Sequence, residues 1–347
     1  MKYLIIGAGA IGTYIGGSLL RSGQNVVFLE REELIQKLHK GGIRINLEDE
    51  AYTSSNIQVF SDVQQALSTP VDIVIFAMKS FDTESAAKML LPVQEKFKAV
   101  LCLQNGVENE IKIAGYIGEE KVIGGSVTSA IERLDSGQAT LEKKRGIGIT
   151  DSHILSRLIV DEFNVAGLNA KLFPNLMDLK WSKMLSNLLG NATSAILNMT
   201  PAEVFGFQEV YKIEYLEMME AVNVMEGLGI HVVNLPGVPM RLLLLVMLRL
   251  PLAVSRPLLG KVLGSGRGGK MPSFHIDLHS GRKILESSFL NGAISRNGLI
   301  AKIPTPVNDV LDKKLQELAT DYTLIKEYDH RTDRLVSDIT EYSRRLK

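Results

Sequence analysis

Cysteine is almost missing from this chain: Cys102 stands alone among 347 residues, so no disulfide can form within it. That cysteine lies in the apolar run Ala99-Val100-Leu101-Cys102-Leu103 and is expected to be a buried strand residue. An excess of either charge is also missing, because Lys+Arg and Asp+Glu both number 39. This argues against nucleic acid or an anionic membrane surface as the main partner and favours a small molecule. No group of His, Cys and acidic residues has zinc spacing, so no metal is expected. The first strand begins almost at Met1, leaving no space for a secretory leader, and the expected location is the cytoplasm. Nor is there an uncharged apolar run of about 20 residues, the length a membrane helix needs. Residues 242–254, LLLLVMLRLPLAV, come nearest, but Arg249 and Pro251 interrupt them and Arg241 and Arg256 flank them. They are expected to form a helix broken at Pro251, buried in a helical domain or at a homodimer interface, with no membrane partner.

What is present is concentrated at the start. Tyr3-Leu4-Ile5-Ile6 is a short apolar run of the buried parallel-strand type, and it leads into Gly7, Ala8, Gly9, Ala10, Ile11 and Gly12, a G-x-G-x-x-G sequence. In that motif the first glycine makes the tight turn and the second lets backbone approach a pyrophosphate. The third lets helix pack closely on strand, and the helix N–H groups face the phosphates. A helix through Leu20 with Gly23 as its cap, then Val26-Val27-Phe28-Leu29 as a second strand ending at Glu30-Arg31, completes a dinucleotide-binding unit.

Further along, residues 32–40 read as a helix, followed by an edge strand at Ile43-Arg44-Ile45. The buried strand at residues 71–78 ends at Lys79, and a helix begins near Thr83. The strand at residues 100–104 ends at Asn105-Gly106. Ligands of doubly wound sheets sit outside the carboxyl ends of strands. Lys79 is therefore either a ligand-reaching group or a solvated lysine, and Asn105-Gly106 either presents a carboxamide or is only a turn. Val122-Ile123-Gly124-Gly125 and Gly146-Ile147-Gly148-Ile149 extend the sheet. From about residue 175 the pattern turns helical, which puts domains at 1–174 and 175–347. Residues 264–269, with four glycines and Arg267, read as an exposed, mobile loop, and a last helix from about Thr305 to Leu318 precedes a polar tail.

In the helical half, Lys183, Asn187 and Asn191 follow at i, i+4 and i+8, which on one helix stacks an ammonium and two carboxamides along a single face. Met184, Leu185, Leu188 and Leu189 occupy the opposite face. Asparagine is a poor helix former, so two in one helix call for a reason, although a solvated face with incidental asparagines remains the alternative. Ser273 and Glu286 mark two more candidate segments. His275 and Asp277 are expected to be surface or packing residues.

Together these residues resemble the ketopantoate reductase family over essentially the full length. The resemblance rests on GAGAIG, the strand ending at Lys79, Gln104-Asn105-Gly106, the Lys183–Asn187 pair, Lys270-Met271-Pro272-Ser273, the Glu286 segment and Ile303-Pro304-Thr305-Pro306-Val307-Asn308. It implies an N-terminal α/β Rossmann domain, doubly wound with a mostly parallel sheet, followed by an all-α domain, with the active site in the cleft between them. It also implies NADPH-dependent reduction of a small 2-keto acid, ketopantoate being the first choice. By the same resemblance Lys183 is the catalytic lysine, Asn187 and Asn191 hold substrate, Ser273 is the substrate serine and Glu286 the substrate carboxylate. Lys79 and Asn105 line the cofactor and substrate cleft.

A ketone reduction needs a proton for the oxygen that receives electrons, and a lysine ammonium, its pKa lowered by desolvation, can stabilise and then protonate it. Lys180, one turn earlier, is expected to be reached by water and dispensable. Arg31 falls where the family places an arginine on the 2′-phosphate of NADPH, with Glu30 then solvated and turned away. NAD(H) stays open because Glu30 also stands where a ribose-binding acid belongs. The alternative to an enzyme is a nicotinamide-binding redox sensor, in which Lys183, Ser273 and Glu286 would have no task. Departures from the family pattern at Thr200-Pro201-Ala202, residues 242–254, residues 264–269 and residues 282–285 bear on which keto acid is used more than on the reaction.

Overall fold

The computed structural model describes residues 1–265 and 271–345, the side chains of residues 262–265 excepted. Twelve strands are found among them: β1 (Lys2–Ile6), β2 (Asn25–Leu29), β3 (Ile43–Asn46), β4 (Ala51–Ser54), β5 (Gln58–Phe60), β6 (Ile73–Phe76), β7 (Ala99–Cys102), β8 (Val122–Val127), β9 (Ala130–Asp135), β10 (Gln138–Lys143), β11 (Ile147–Thr150) and β12 (Ala170–Phe173). Contacts divide the chain into two compact units, Met1–Lys180 with Leu235–Val238, and Trp181–Asn234 with Pro239–Lys347. The sequence expectation put the boundary near Pro174, just ahead of the helix Leu176–Leu188; by contacts it falls inside that helix.

The first unit holds an eight-stranded sheet in the order β12-β11-β8-β7-β6-β1-β2-β5. Every neighbouring pair is parallel except β11 with β8. From β5 to β8 this is the doubly wound order, reversing between β1 and β6. Near-continuous apolar strands make this possible, since β6 and β7 are buried at every position and Cys102 lies among them, fully covered. Helices on both faces close two apolar layers.

Three sequence expectations change. Ile43-Arg44-Ile45 is no edge strand: β3 lies inside a second sheet, β4-β3-β10-β9, with β4 on one side and β10 on the other. The β9–β10 hairpin that completes it is short, half-exposed and polar, so its alternation is weak in sequence. The polar tail after residue 320 folds too, ending in the helix Thr332–Arg345 whose Leu335 and Ile339, four apart, are buried. Gly264, read as the start of a loop, belongs to the helix Leu252–Ser265, and residues 266–269 of that loop lie outside the described residues.

The second unit is helical. Its apolar stretch breaks where expected, between the helices Met240–Arg249 and Leu252–Ser265, because Pro251 cannot continue the first. It is buried on one side only. Leu244 and Met247 are covered, whereas Leu242, Leu245 and Val254 stand exposed in the single chain, so the helical unit by itself buries only part of the stretch. Among the described residues no helix is long and apolar enough to cross a membrane.

Candidate functional site

The glycine loop joins β1 to the helix Ala10–Arg21. Gly7 has φ +95°, and a Cβ on Gly12 would stand 1.9 Å from the Gly7 carbonyl oxygen, so neither position accepts a side chain. Around Gly9 nothing lies within 4 Å of where a Cβ would be, which leaves open space against the backbone. No side chain caps the helix and no acid occupies its first turn. An open glycine at an uncapped helix N-terminus suits a pyrophosphate.

Glu30 departs from the expectation that it is solvated and turned away. Parallel pairing of Ile6 with Leu29 sets the end of β2 beside the loop, and Glu30 Oε2 accepts the Ala8 N–H at 2.7 Å with the side chain only 11% exposed. The Ala8 amide proton is thereby committed to Glu30. Arg31 is 75% exposed and stands 3.9 Å from both Glu30 and Glu33, a loose pairing that leaves the guanidinium able to turn.

At the carboxyl ends of β6 and β7 the two candidate loops are fastened to each other. The Gln104 carboxamide donates to the carbonyls of Met78 at 3.2 Å and Lys79 at 3.1 Å. The Asn105 carbonyl accepts from Ser80 Oγ at 2.7 Å and Asn109 Nδ2 at 2.5 Å. Thr83 Oγ1 lies 3.1 Å from both Gln104 Oε1 and Asn109 Oδ1. Lys79 is half-buried, and Asn105 is exposed beside Gly106 at φ +90°. The Asn105-Gly106 turn is present, with the Asn105 residue exposed on it. This polar clasp was not visible in sequence, because Ser80, Thr83 and Asn109 read as ordinary loop and helix residues.

In the helical unit Lys183 Nζ donates to Asn187 Oδ1 at 2.5 Å, the i, i+4 contact that the spacing predicts. Asn191 does not continue that helix. The helix Leu176–Leu188 stops ahead of Gly190, which has φ +61° and donates its N–H to the Glu214 carboxylate at 2.6 Å; Asn191 starts the next helix, Ala192–Leu197. It still stays beside its predicted neighbour, since Asn191 Nδ2 donates to the Asn187 carbonyl at 3.0 Å and lies 3.4 Å from Ser273 Oγ. Asn191 Oδ1 also accepts the Phe274 N–H at 3.0 Å, anchoring the first turn of the helix Ser273–His279. Lys183, Asn187, Asn191 and Ser273 therefore form one continuous polar chain. Glu286 is buried on a short 3₁₀ turn, Glu286–Phe289, of the same unit.

Lys180 is not the water-exposed residue the sequence suggested. It is 2% exposed, with Nζ 2.6 Å from the Gln104 carbonyl, 3.2 Å from the Gly125 carbonyl and 2.8 Å from the Glu110 carboxylate. Burial pulls its pKa down, but the Glu110 and Cys102 groups outweigh burial and the net shift is upward. His275 stacks on His279 at 4.0 Å and Asp277 pairs with Arg282 at 3.2 Å, both packing roles. Among the described residues no group of three or more His, Cys, Asp or Glu could hold a metal ion.

The family model described as ketopantoate reductase PanE/ApbA matches residues 3–152, and its C-terminal counterpart matches residues 175–319. A 2-dehydropantoate 2-reductase of Nostoc sp. is 31% identical over 58% of this chain and 66% of its own length, so the match spans just under two thirds of that relative. The crystal structure of a PanE/ApbA family ketopantoate reductase from Ralstonia eutropha superposes with TM-score 0.77 at 27% identity, covering 93% of this chain and 99% of that one. A D-mandelate dehydrogenase bound to NADH and anilino(oxo)acetate, 22% identical, shares the fold with TM-score 0.76 over 93% of this chain and 99% of its own. The chain therefore belongs to the ketopantoate reductase family.

Proposed function

We propose that this protein is a nicotinamide-dinucleotide-dependent reductase of a small 2-keto acid, with ketopantoate as substrate and pantoate as product. The observation that carries this reading is the chain Lys183–Asn187–Asn191–Ser273, an ammonium held by one carboxamide and followed by a second carboxamide and a hydroxyl. The glycine loop and the helix behind it would hold the dinucleotide, which supplies the hydride. Lys183, its Nζ aimed by Asn187, stabilises the ketone oxygen as charge develops and delivers the proton to it. Ser273 donates to the substrate carboxylate, Asn191 keeps Ser273 in place, and Glu286 accepts from the substrate hydroxyl. Lys79 and Asn105 serve the cofactor side. The test is loss of NADPH absorbance when ketopantoate is added to the purified protein. No turnover with ketopantoate or with other short 2-keto acids would remove the reading.

NADPH is the proposed form, through Arg31, whose exposed and loosely paired guanidinium can meet a 2′-phosphate bidentately. The inward Glu30 carboxylate favours a second reading, NADH, because that is where an acid binds the ribose 2′-hydroxyl. Comparing kcat/KM for the two cofactors decides between them. Arg31→Ala should weaken NADPH use about tenfold and leave NADH use unchanged, and equal NADPH use in the variant would transfer the assignment to NADH.

A further inference from the structure

We propose that Lys180 is a positioning residue whose buried ammonium ties the loop that leaves the carboxyl end of β7 to the middle of the neighbouring strand β8, in the geometry that presents Asn105. The proposal rests on the reductase reading for its kinetic test but not for its binding test. A lysine this deeply buried needs its charge and its three N–H groups answered. Here three acceptors surround Nζ, and two of them are main-chain carbonyls, that of Gln104, two residues past the end of β7, and that of Gly125 within β8. Pairing of β7 with β8 ends at Cys102 and Gly124, so Lys180 bridges the strands just where their own ladder stops. The third acceptor, Glu110, lies 2.8 Å away, yet neither of its buried oxygens has an aligned hydrogen-bond donor. The ion pair neutralises; the carbonyl contacts set geometry.

The consequence runs outward from Gln104. Lys180 grips its carbonyl, while its side chain ties down Met78 and Lys79 and meets Thr83. The next residue, Asn105, has its own carbonyl clasped by Ser80 and Asn109, and the residue is exposed. Both strand-end loops therefore depend on where Gln104 is held. With its protons engaged by fixed acceptors, Lys180 is unsuited to proton donation, and its contribution is the placement of other groups.

The test separates placement from charge balance with three variants of the full chain: Lys180→Met, Glu110→Gln and the double variant. Lys180→Met leaves Glu110 buried without its cation and should lower Tm by about 10 °C. It should also reduce kcat/KM for ketopantoate and weaken NADPH binding, read by fluorescence titration, each by about tenfold or more. The double variant removes the orphaned charge and should regain most of the lost Tm, yet keep the kinetic and binding losses, because the carbonyls of Gln104 and Gly125 stay unheld. Glu110→Gln alone should stay within about threefold of the parent in kcat/KM. Recovery of activity and binding together with Tm in the double variant would overturn the proposal, as would an equal kinetic loss in Glu110→Gln. If the parent protein turns over no keto acid, the reductase reading fails and the NADPH affinities alone decide, an unchanged affinity in the double variant counting against placement. If Lys180→Met does not fold, the double variant carries the comparison.

Discussion

The two units bury polar groups by different means. In the Rossmann unit the deeply buried Lys180 is matched by Glu110 and two carbonyls. In the helical unit, Glu214, Glu217 and Glu220 are spaced three apart along the helix Gln208–Gly227, and all three are buried. Donors reaching them include the Gly190, Val307 and Asn308 N–H groups, the Thr193 hydroxyl and the carboxamides of Asn291 and Asn308. Such neutral donors hold a carboxylate in position without supplying the charge that keeps a proton off. Burial raises the Glu220 pKa to about 7 despite three hydrogen bonds, and burial with the neighbouring Glu214 and Glu220 raises that of Glu217 well above its ordinary value. The lesson is that buried carboxylates met by neutral donors have their pKa raised, as Glu217 and Glu220 do, whereas in the Rossmann unit the buried ammonium of Lys180 has its pKa raised, against burial, by the carboxylate beside it.

Lys183 gives the sharpest break, because it lies one turn beyond the sealed Lys180, on the same helix, and is only half-buried. Lys183→Ala should lower kcat by roughly 10²–10⁴-fold while NADPH binding, by fluorescence titration, stays near the parent value. A fully active variant would remove the proposed proton donor. Next in size is stability: Lys180→Met should cost about 3–5 kcal/mol in denaturant unfolding, as a buried pair broken on one side does. A cost under about 1 kcal/mol would mean that Glu110 finds water or a proton, and the contrast between the units would weaken.

The buried glutamates predict a pH dependence of opposite sense to ordinary carboxylate ion pairs. Because the folded protein binds the Glu217 and Glu220 protons more tightly than the unfolded chain, their stabilising contribution is full below about pH 4.5. It is lost as pH rises toward about 7 for Glu220, and as pH rises above the ordinary carboxylate range for Glu217. The Glu220 contribution is about 3 kcal/mol at most. Thermal melts of Glu217→Gln across that range should show a shallower decline than the parent, since the amide cannot ionise. An unchanged slope would place the titration elsewhere. The smallest effect concerns an exposed counterpart of these carboxylates, the capping box in which Thr200 and Glu203 bond each other's backbone N–H at the start of the helix Pro201–Gly206. Thr200→Ala should cost about 1 kcal/mol, with little pH dependence of its own.

How much was legible in the sequence depended on range. The G-x-G-x-x-G loop, the two buried strands and the break at Pro251 follow from neighbours a few residues apart, and the structure has them, although β6 and β7 end at Phe76 and Cys102, ahead of Lys79 and Asn105. The Lys183–Asn187 bond follows from helical spacing alone. Asn191 was misread because spacing cannot show that Gly190 takes a positive φ and that a carboxylate from residue 214 draws in its N–H. Lys180 was misread for a related reason: its position near a helix start suggested water, and the acceptors that bury it come from residues 104, 110 and 125.

By itself, then, the sequence determined the class of each unit, the places of its central strands, the glycine loop and the identity of the groups available for chemistry, because apolar periodicity, glycine and local spacing act over one or two turns of chain. Only the tertiary structure decided that Glu30 turns inward onto Ala8, that Asn191 stays with Asn187 across a broken helix, and which of two lysines one turn apart is sealed and which is left half-buried. Each of those outcomes turns on desolvation and on acceptors brought from distant segments. A buried charge takes whatever partner the fold places beside it, and that placement has no local signature.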